Sequence, residues 1–258
     1  MIRPPCDTKP AATGLDLAVI IPAYNEGNRI GPTLHAVLAF LAAQPLAAEI
    51  VVVDDGSLDD TAAVVARYQG GTVPLRLISY QPNRGKGHAV RTGTLAASGR
   101  LVLHLDADYS VGLEEFAKLH RAVGEGADIA IGSRAIAGAC LLQRQVRWRE
   151  WAGRAFGWLQ RAVLGLPYHD TQCGFKLFTA GAAARLFPQQ RLDGVVYDGE
   201  ILFLARRAHL RVVEVPIVWR HDPDSRLRYG WAASVAVWRD LWRVRRLHRR
   251  DPEPTVDR

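Results

Sequence analysis

Five short runs of strand-forming apolar residues, each ending in a polar cluster, constrain this chain more than any other feature. They occupy residues 17–22, 49–54, 75–80, 100–106 and 128–132, with helices expected over 26–43, 59–68, 85–97 and 112–123. Runs so short and dry read as buried sheet strands. Strands alternating with helices mean βαβ units, and therefore an α/β fold whose mainly parallel sheet has helices on both faces. Such sheets bind ligands at the strands' carboxyl ends. The polar clusters fall at those ends: PAYNE (22–26), DDGSLDDT (54–61), QPNRGKG (81–87), DAD (106–108) and GSR (132–134). One such cluster would be an ordinary loop, whereas five along one edge make a site.

The DAD cluster is the centre of that edge. Residues at i and i+2 of an extended chain point the same way, so Asp106 and Asp108 are expected to address one cation. Two hard carboxylates favour Mg²⁺ or Mn²⁺ over zinc; the alternative is a solvated turn that merely closes the strand. The other clusters suit a nucleotide. Asp54 or Asp55 can accept from a base N–H while the other caps the next helix, and Tyr24, between Pro22 and Glu26, offers a stacking face. Residues 83–87 combine two glycines with Lys86 at a helix start, where backbone N–H groups favour anions. The spacing is not that of a Walker loop, and no GxGxxG follows the first strand, which argues against a nicotinamide oxidoreductase.

The formal charge of +7 points to phosphorylated or anionic partners. No recognised nucleic-acid motif accompanies it, so a basic nucleic-acid-binding protein is the weaker reading and no nucleic acid is expected as a partner. Cys6, Cys140 and Cys173 lack metal-ligand spacing, which fits a reducing compartment. Residues 1–15 read as a disordered lead-in without a signal-like apolar core, and a cytoplasmic chain is expected. Residues 30–48 carry no formal charge, but Pro32, His35, Gln44 and Pro45 interrupt them. A buried helix is expected there, not a membrane span.

In their order, PAYNE, VVVDDGSLDDT, NRGKGHAVRTG, LDADY, IGSR and DTQCGFKLF resemble the inverting family 2 glycosyltransferases of GT-A, Rossmann-like fold. The chain is most similar to the dolichyl-phosphate (polyprenyl-phosphate) β-glucosyltransferases, with dolichyl-phosphate mannose synthases as relatives. The resemblance implies a metal and diphosphate site at Asp106 and Asp108, a nucleoside held by the aspartates of VDDGS, and phosphate addressed by Arg134. It also implies a nucleotide-sugar donor, UDP-glucose above all, and a polyprenyl-phosphate acceptor. Two segments depart from the pattern: the usual FDVE reads YDGE (197–200), and the GSKL-like segment reads DSRL (224–227). Gly199 therefore stands beside a carboxylate of the site.

The chemistry follows from charge. Negative charge builds on the leaving diphosphate, which a cation and Lys86 would stabilise. A phosphate acceptor needs grip, for which Arg134, Arg147, Arg149 and Arg226 are candidates. A sugar or polysaccharide hydroxyl would instead need a base, with Asp198 first and Glu200 in reserve. Domain limits are set at 16–230 for the catalytic unit and 231–258 for a basic C-terminal helix and tail. Arginines interleaved with Trp148, Trp151, Phe156 and Trp158 suggest an amphipathic helix near the acceptor entrance. In the tail, Trp231, Val235, Trp238 and Trp242 share one helical face beside Arg239, Arg243, Arg246 and Arg250. That pattern suits a membrane-surface helix of a peripheral enzyme, or else packing on the catalytic unit. On the membrane reading, deleting the chain from Trp231 is expected to leave donor binding unchanged.

Overall fold

The computed structural model describes residues 14–142, 147–220 and 231–249. Seven strands form one sheet: β1 (Leu17–Ala23), β2 (Ala48–Asp54), β3 (Leu75–Ser79), β4 (Leu101–His104), β5 (Ile129–Ser133), β7 (Lys176–Thr179) and β8 (Val212–Pro216). Their order is β3-β2-β1-β4-β7-β5-β8. All neighbours run parallel except β7, which is antiparallel to both β4 and β5. The start of β7 therefore lies at the same edge as the carboxyl ends of the parallel strands.

Period-two alternation drives this sheet into two cores. Along β1, Leu17, Val19 and Ile21 enter the core on one face while Ala18 and Ile20 enter the other. The first face is covered by α1 (Ile30–Ala42), α2 (Thr61–Ala66) and α4 (Phe116–Gly124). The charge-free segment is thus a buried helix, with Ile30, Leu34, Val37 and Leu41 inward at spacings of four, three and four. The second face is covered by α3 (Lys86–Ala96), α6 (Ala180–Leu186), α7 (Tyr197–Arg207) and the end of α8 (Trp231–Leu247). No helix of the described residues is long and apolar enough to cross a membrane.

Local chemistry moved several boundaries from their expected places. Helix α1 begins at Ile30 because Glu26 is engaged in a turn: its carbonyl accepts from the Arg29 and Ile30 amides, and its carboxylate grips the Arg29 guanidinium at 2.6 Å. Strand β4 ends at His104, ahead of the DAD cluster. The extended segment 212–219 divides after Pro216. Its second part, β9 (Val218–Trp219), leaves the main sheet to pair with β6 (Cys140–Leu141).

Helix α8 is built into the molecule. Leu241 and Val244 are fully buried in the second core, and α8 packs against α5 (Arg147–Leu164). Trp238 and Trp242 face outward, so of the two readings of the tryptophan face, packing on the catalytic unit is not the one these side chains adopt. Deleting the chain from Trp231 would open this core, and the expectation that such a deletion leaves donor binding unchanged is withdrawn. The side chains of Arg147, Arg149, Trp148, Trp151, Phe156, Trp231 and Val235 lie outside the described residues, as do Arg226, Arg250, the 224–227 segment and residues 1–13.

Truncating Leu34 to alanine empties a site in the first core, remote from α7 and α8. Leu34→Ala is expected to cost about 2–5 kcal/mol; urea unfolding should show a lower midpoint with an unchanged slope.

Candidate active site

The motif residues first of all hold one another. Residues 22–27 and the DDGSLDDT loop are stapled by four hydrogen bonds to side-chain acceptors: Asn25 N–H to Ser57 Oγ (2.8 Å), Leu58 N–H to Asn25 Oδ1 (2.7 Å), Glu26 N–H to Thr61 Oγ1 (2.7 Å) and Gly27 N–H to Asp59 Oδ2 (3.1 Å). Asn25 adopts a positive φ of 55° to do so, which asparagine tolerates. Asp54 accepts from the Ser57 amide at 3.0 Å and is almost fully buried. Tyr24 remains exposed, with its ring open to a ligand.

Asp55 corrects an expectation. Its carboxylate accepts from the Arg84 and Gly85 amides and from Asn83 Nδ2, each at 2.8 Å. The anion just ahead of α3, expected to be a ligand phosphate, is this internal carboxylate, which organises the NRGKG loop. The two glycines of that loop make room for protein backbone: a Cβ on Gly85 or Gly87 would meet the Asp193 or Leu192 carbonyl oxygen at 2.5 and 2.7 Å.

Beyond β4 the chain turns. Tyr109 N–H bonds to the Asp106 carbonyl at 3.2 Å and Ser110 N–H to Asp108 Oδ1 at 3.0 Å. Turn geometry, not strand alternation, sets these two carboxylates. Thr33 fixes the turn from α1 by donating to the Ala107 carbonyl at 2.7 Å.

The carboxylates sit in a dense charge cluster. Lys86 Nζ lies 2.7 Å from Asp106 Oδ1. Burial opposes ionisation of Asp106, but Lys86, Lys176 and Arg134 outweigh it and hold the carboxyl below its usual range. Burial also opposes the Lys86 ammonium, yet Asp106 and Asp198 keep it above its ordinary value. Gly174, just ahead of β7, leaves the space the Asp106 carboxylate fills; a Cβ there would meet its oxygens at 2.2 and 2.4 Å. Asp108 is pushed upward by burial and by the Asp106 charge, a repulsion that a divalent cation would relieve. Four carboxylates (Asp106, Asp108, Asp170, Asp198) against three cations (Lys86, Lys176, Arg134) leave one excess negative charge in the cluster. A divalent cation would make it positive, matched to a diphosphate. The residues therefore fit Mg²⁺ or Mn²⁺ held by Asp106 and Asp108, with the remaining ligands drawn from substrate oxygens and water. No group of three or more metal-binding side chains occurs among the described residues.

Arg134 is placed by a partner unassigned from sequence. Its Nε and Nη2 bind Asp170 bidentately at 2.7 and 3.0 Å, its backbone N–H adds a third contact at 3.0 Å, and its guanidinium lies 5.5 Å from the Trp219 ring centroid. Glu214 of β8 fixes Asp170 in turn, accepting its amide at 3.0 Å. Burial would raise the Asp170 carboxyl, but Arg134 pulls it down to about 2.

The two carboxylates of YDGE have distinct partners. Asp198 is buried and paired with buried Lys176 at 2.5 Å; burial keeps its carboxyl above the usual range against the pull of Lys176 and Lys86. Glu200 is wholly buried, accepts the Arg191 and Leu192 amides at 3.0 and 2.9 Å, and lies 2.7 Å from His248 Nε2. Its reserve role as base is corrected: every contact is structural. Gly199 is a packing residue, since a Cβ would press on Leu164 and Gln160 of α5 at 3.0 and 3.2 Å. Lys176 was missed from sequence because KLF reads as an apolar strand; the antiparallel entry of β7 delivers its ammonium to the edge. Cys173 is buried beside it, its thiol pushed up to about 11 by burial and by Asp170.

Residues 18–187 match the model for glycosyl transferase family 2. The chain is a family 2 glycosyltransferase. This glycosyltransferase is 35% identical over 228 residues to a dolichyl-phosphate beta-glucosyltransferase of Trichomonas vaginalis, covering 84% of this chain and 68% of the relative. It is 31% identical over 242 residues to the dolichyl-phosphate beta-glucosyltransferase of Homo sapiens, covering 89% and 74%. Glucosyl-3-phosphoglycerate synthase from Mycobacterium tuberculosis, solved with Mn²⁺, UDP-glucose and glycerol 3-phosphate, superposes with a TM-score of 0.65 at 19% identity, covering 99% of this chain and 88% of that one. The glycosyltransferase thus has the GT-A fold.

The Arg134–Asp170 pair carries a pH signature. Because the folded carboxyl titrates near 2, below its unfolded value, its stabilisation is complete above about pH 4 and is lost as pH falls toward 2, amounting to about 2 kcal/mol. Urea midpoints measured from pH 5 to 2 should fall more steeply for the wild type than for Asp170→Asn.

Proposed function

We propose that the chain moves glucose from UDP-glucose to a polyprenyl phosphate such as dolichyl phosphate, with inversion at the anomeric carbon, as a cytoplasmic enzyme held peripherally at a membrane. One observation carries the acceptor class: neither carboxylate of YDGE is free to act as a base. Asp198 is paired with Lys176, and Glu200 with His248 and two amides. A hydroxyl acceptor needs deprotonation during attack, whereas a phosphate monoester, with a second pKa near ~6, is largely ionised at neutral pH. The activity for which the dolichyl-phosphate beta-glucosyltransferase relatives are named supports the same acceptor and sugar. Fold neighbours solved with Mn²⁺ and UDP-glucose support the donor and the cation.

In this reading Tyr24 stacks on the base and Asp54 accepts from it, with Pro22 and Glu26 shaping the loop beneath. A divalent cation held by Asp106 and Asp108 supplies Lewis-acid stabilisation of the leaving diphosphate when bound. Lys86 adds an ammonium where that charge develops. Arg134, oriented by Asp170, presents its remaining N–H groups to phosphate, and Arg147, Arg149 and Arg226 are proposed to complete the acceptor grip. The exposed thiol of Cys140 suits a reducing compartment.

Crossing UDP-glucose, UDP-galactose and GDP-mannose against polyprenyl phosphate and the corresponding polyprenol tests donor and acceptor together. Transfer is expected from UDP-glucose to the phosphate and not to the alcohol, with loss in excess EDTA, recovery on adding Mg²⁺ or Mn²⁺, and at least a hundred-fold lower turnover in Asp108→Asn (a loss on the order of 3 kcal/mol). Efficient transfer to polyprenol or to a sugar hydroxyl, or full activity in EDTA, would overturn the reading.

The membrane part rests on the outward face of α8. Trp238 and Trp242 are exposed there beside exposed Arg239, Arg243 and Arg246, and Trp158 is exposed on the neighbouring α5. Indoles favour the headgroup level, and each nearby arginine contributes on the order of 1 kcal/mol toward an anionic bilayer. The double variant Trp238→Ser/Trp242→Ser leaves Leu241 and Val244 in place. It is expected to lose sedimentation with anionic liposomes while keeping nucleotide binding; undiminished sedimentation would sink the membrane role.

A further inference from the structure

The far end of α8 is tied to the donor side of the site by a continuous set of polar contacts. His248 is fully buried, with Nε2 2.7 Å from Glu200 Oε1. The backbone there is gripped as well: Arg191 Nη1 donates to the Leu247 carbonyl at 3.0 Å, and the Arg207 guanidinium donates to the His248 carbonyl. Glu200 also accepts the Arg191 and Leu192 amides, so one carboxylate joins α8 to residues 191–192. Those residues continue into the segment on which Gly85 and Gly87 are seated. Gln190 Nε2 donates to both the Gly87 and Leu192 carbonyls at 2.8 and 2.9 Å, and His88 N–H bonds to the Asp193 carbonyl at 3.2 Å. Between those two glycines stands Lys86, 2.7 Å from Asp106.

We infer that His248 is a positioning residue for donor binding: through Glu200 and residues 190–194 it fixes the glycine loop that aims Lys86 at the diphosphate side of the site. The chain of contacts has no slack. A carboxylate accepting two backbone amides and an imidazole cannot shift without stranding buried donors. The 190–194 segment cannot shift without moving the loop, because the glycine contacts leave no room for a methyl group. Whatever displaces the end of α8 therefore moves Lys86. The inference rests on the reading of this edge as a nucleotide-sugar site.

Two measurements test it separately from that reading. Hydrogen exchange needs no ligand: His248→Ala should speed exchange at residues 84–89 and 191–192 while Val19–Ile21 stay protected, and unchanged exchange at 84–89 would overturn the inference. Calorimetry with UDP-glucose and Mn²⁺ gives the energetic arm. His248→Ala should weaken binding by roughly 2- to 30-fold, His248→Gln, whose amide can donate to Glu200, should recover most of it, and Leu34→Ala, destabilised elsewhere, should bind as the wild type does. Because the effect runs through Lys86, His248→Ala should cost nothing further in a Lys86→Ala background. Additive losses in that cycle, or an equal loss in Leu34→Ala, would refute the positioning role. A wild type that fails to bind UDP-glucose rejects the donor reading alone, and the exchange data still decide the latch.

Discussion

The contact between Lys86 and Asp106 is the one on which the rest of the site depends. Asp106 lies in a turn past the end of β4, close to two further carboxylates, and a charge of that density does not persist on a partly covered edge without counter-charge. Three elements supply it: the glycine loop brings Lys86, β5 brings Arg134, and β7 brings Lys176. Each cation is itself fixed by another acid or by a loop, so the edge is an alternating lattice of charge. On the proposed reading, such a lattice would meet an incoming diphosphate and divalent cation with charges already in place.

Most of the motif carboxylates are organisers. Asp55 shapes the glycine loop, Asp59 and Thr61 staple the first two loops together, Asp170 aims Arg134, and Glu200 joins three segments. The physical reason is common to all of them. The loops at this edge lack the hydrogen-bond ladder of a sheet, and their buried amides need acceptors. Ionised carboxylates supply strong ones. A motif acid is therefore as informative about how a loop is held as about what touches substrate.

Much of this architecture was legible in the sequence: period-two and helical spacing report burial directly, so all five initial strands, the buried helix α1 and the edge at which the motifs meet are readable from residues 17–134, and the six motifs that carry the family run on to residue 178. Three things were not. The reversal of β7 leaves no trace in an apolar run, since KLFT reads the same in either direction, and with it went Lys176. The ligand sets of Asp55 and Asp170 are fixed by contacts 28 to 36 residues away in sequence, beyond any local pattern. The inner face of α8 was not read at all, because the tryptophan and arginine stripes drew the argument to a membrane face or a tryptophan packing face, and two small aliphatic side chains between them leave little pattern. The smaller Leu241 and Val244 are the side chains that fit the groove beside α5 and α7.

That buried inner face changes how a membrane surface would act on this enzyme. A helix tethered by a mobile linker can hold a catalytic unit near lipid without altering it. Helix α8 instead has an inner face in the core and an end locked to Glu200, so its outer tryptophans and arginines are rigidly connected to α7. α7 carries Asp198 in its first turn, paired with Lys176, and Glu200 beside the loop of Lys86. Lipid contact on the outside and charge placement at the site then share one rigid element with no flexible joint between them. A force on one is felt at the other because packed interiors resist continuous deformation. On the proposed membrane reading, the acceptor's membrane would be sensed through the same helix that is tied, through Glu200, to the segment seating the glycine loop.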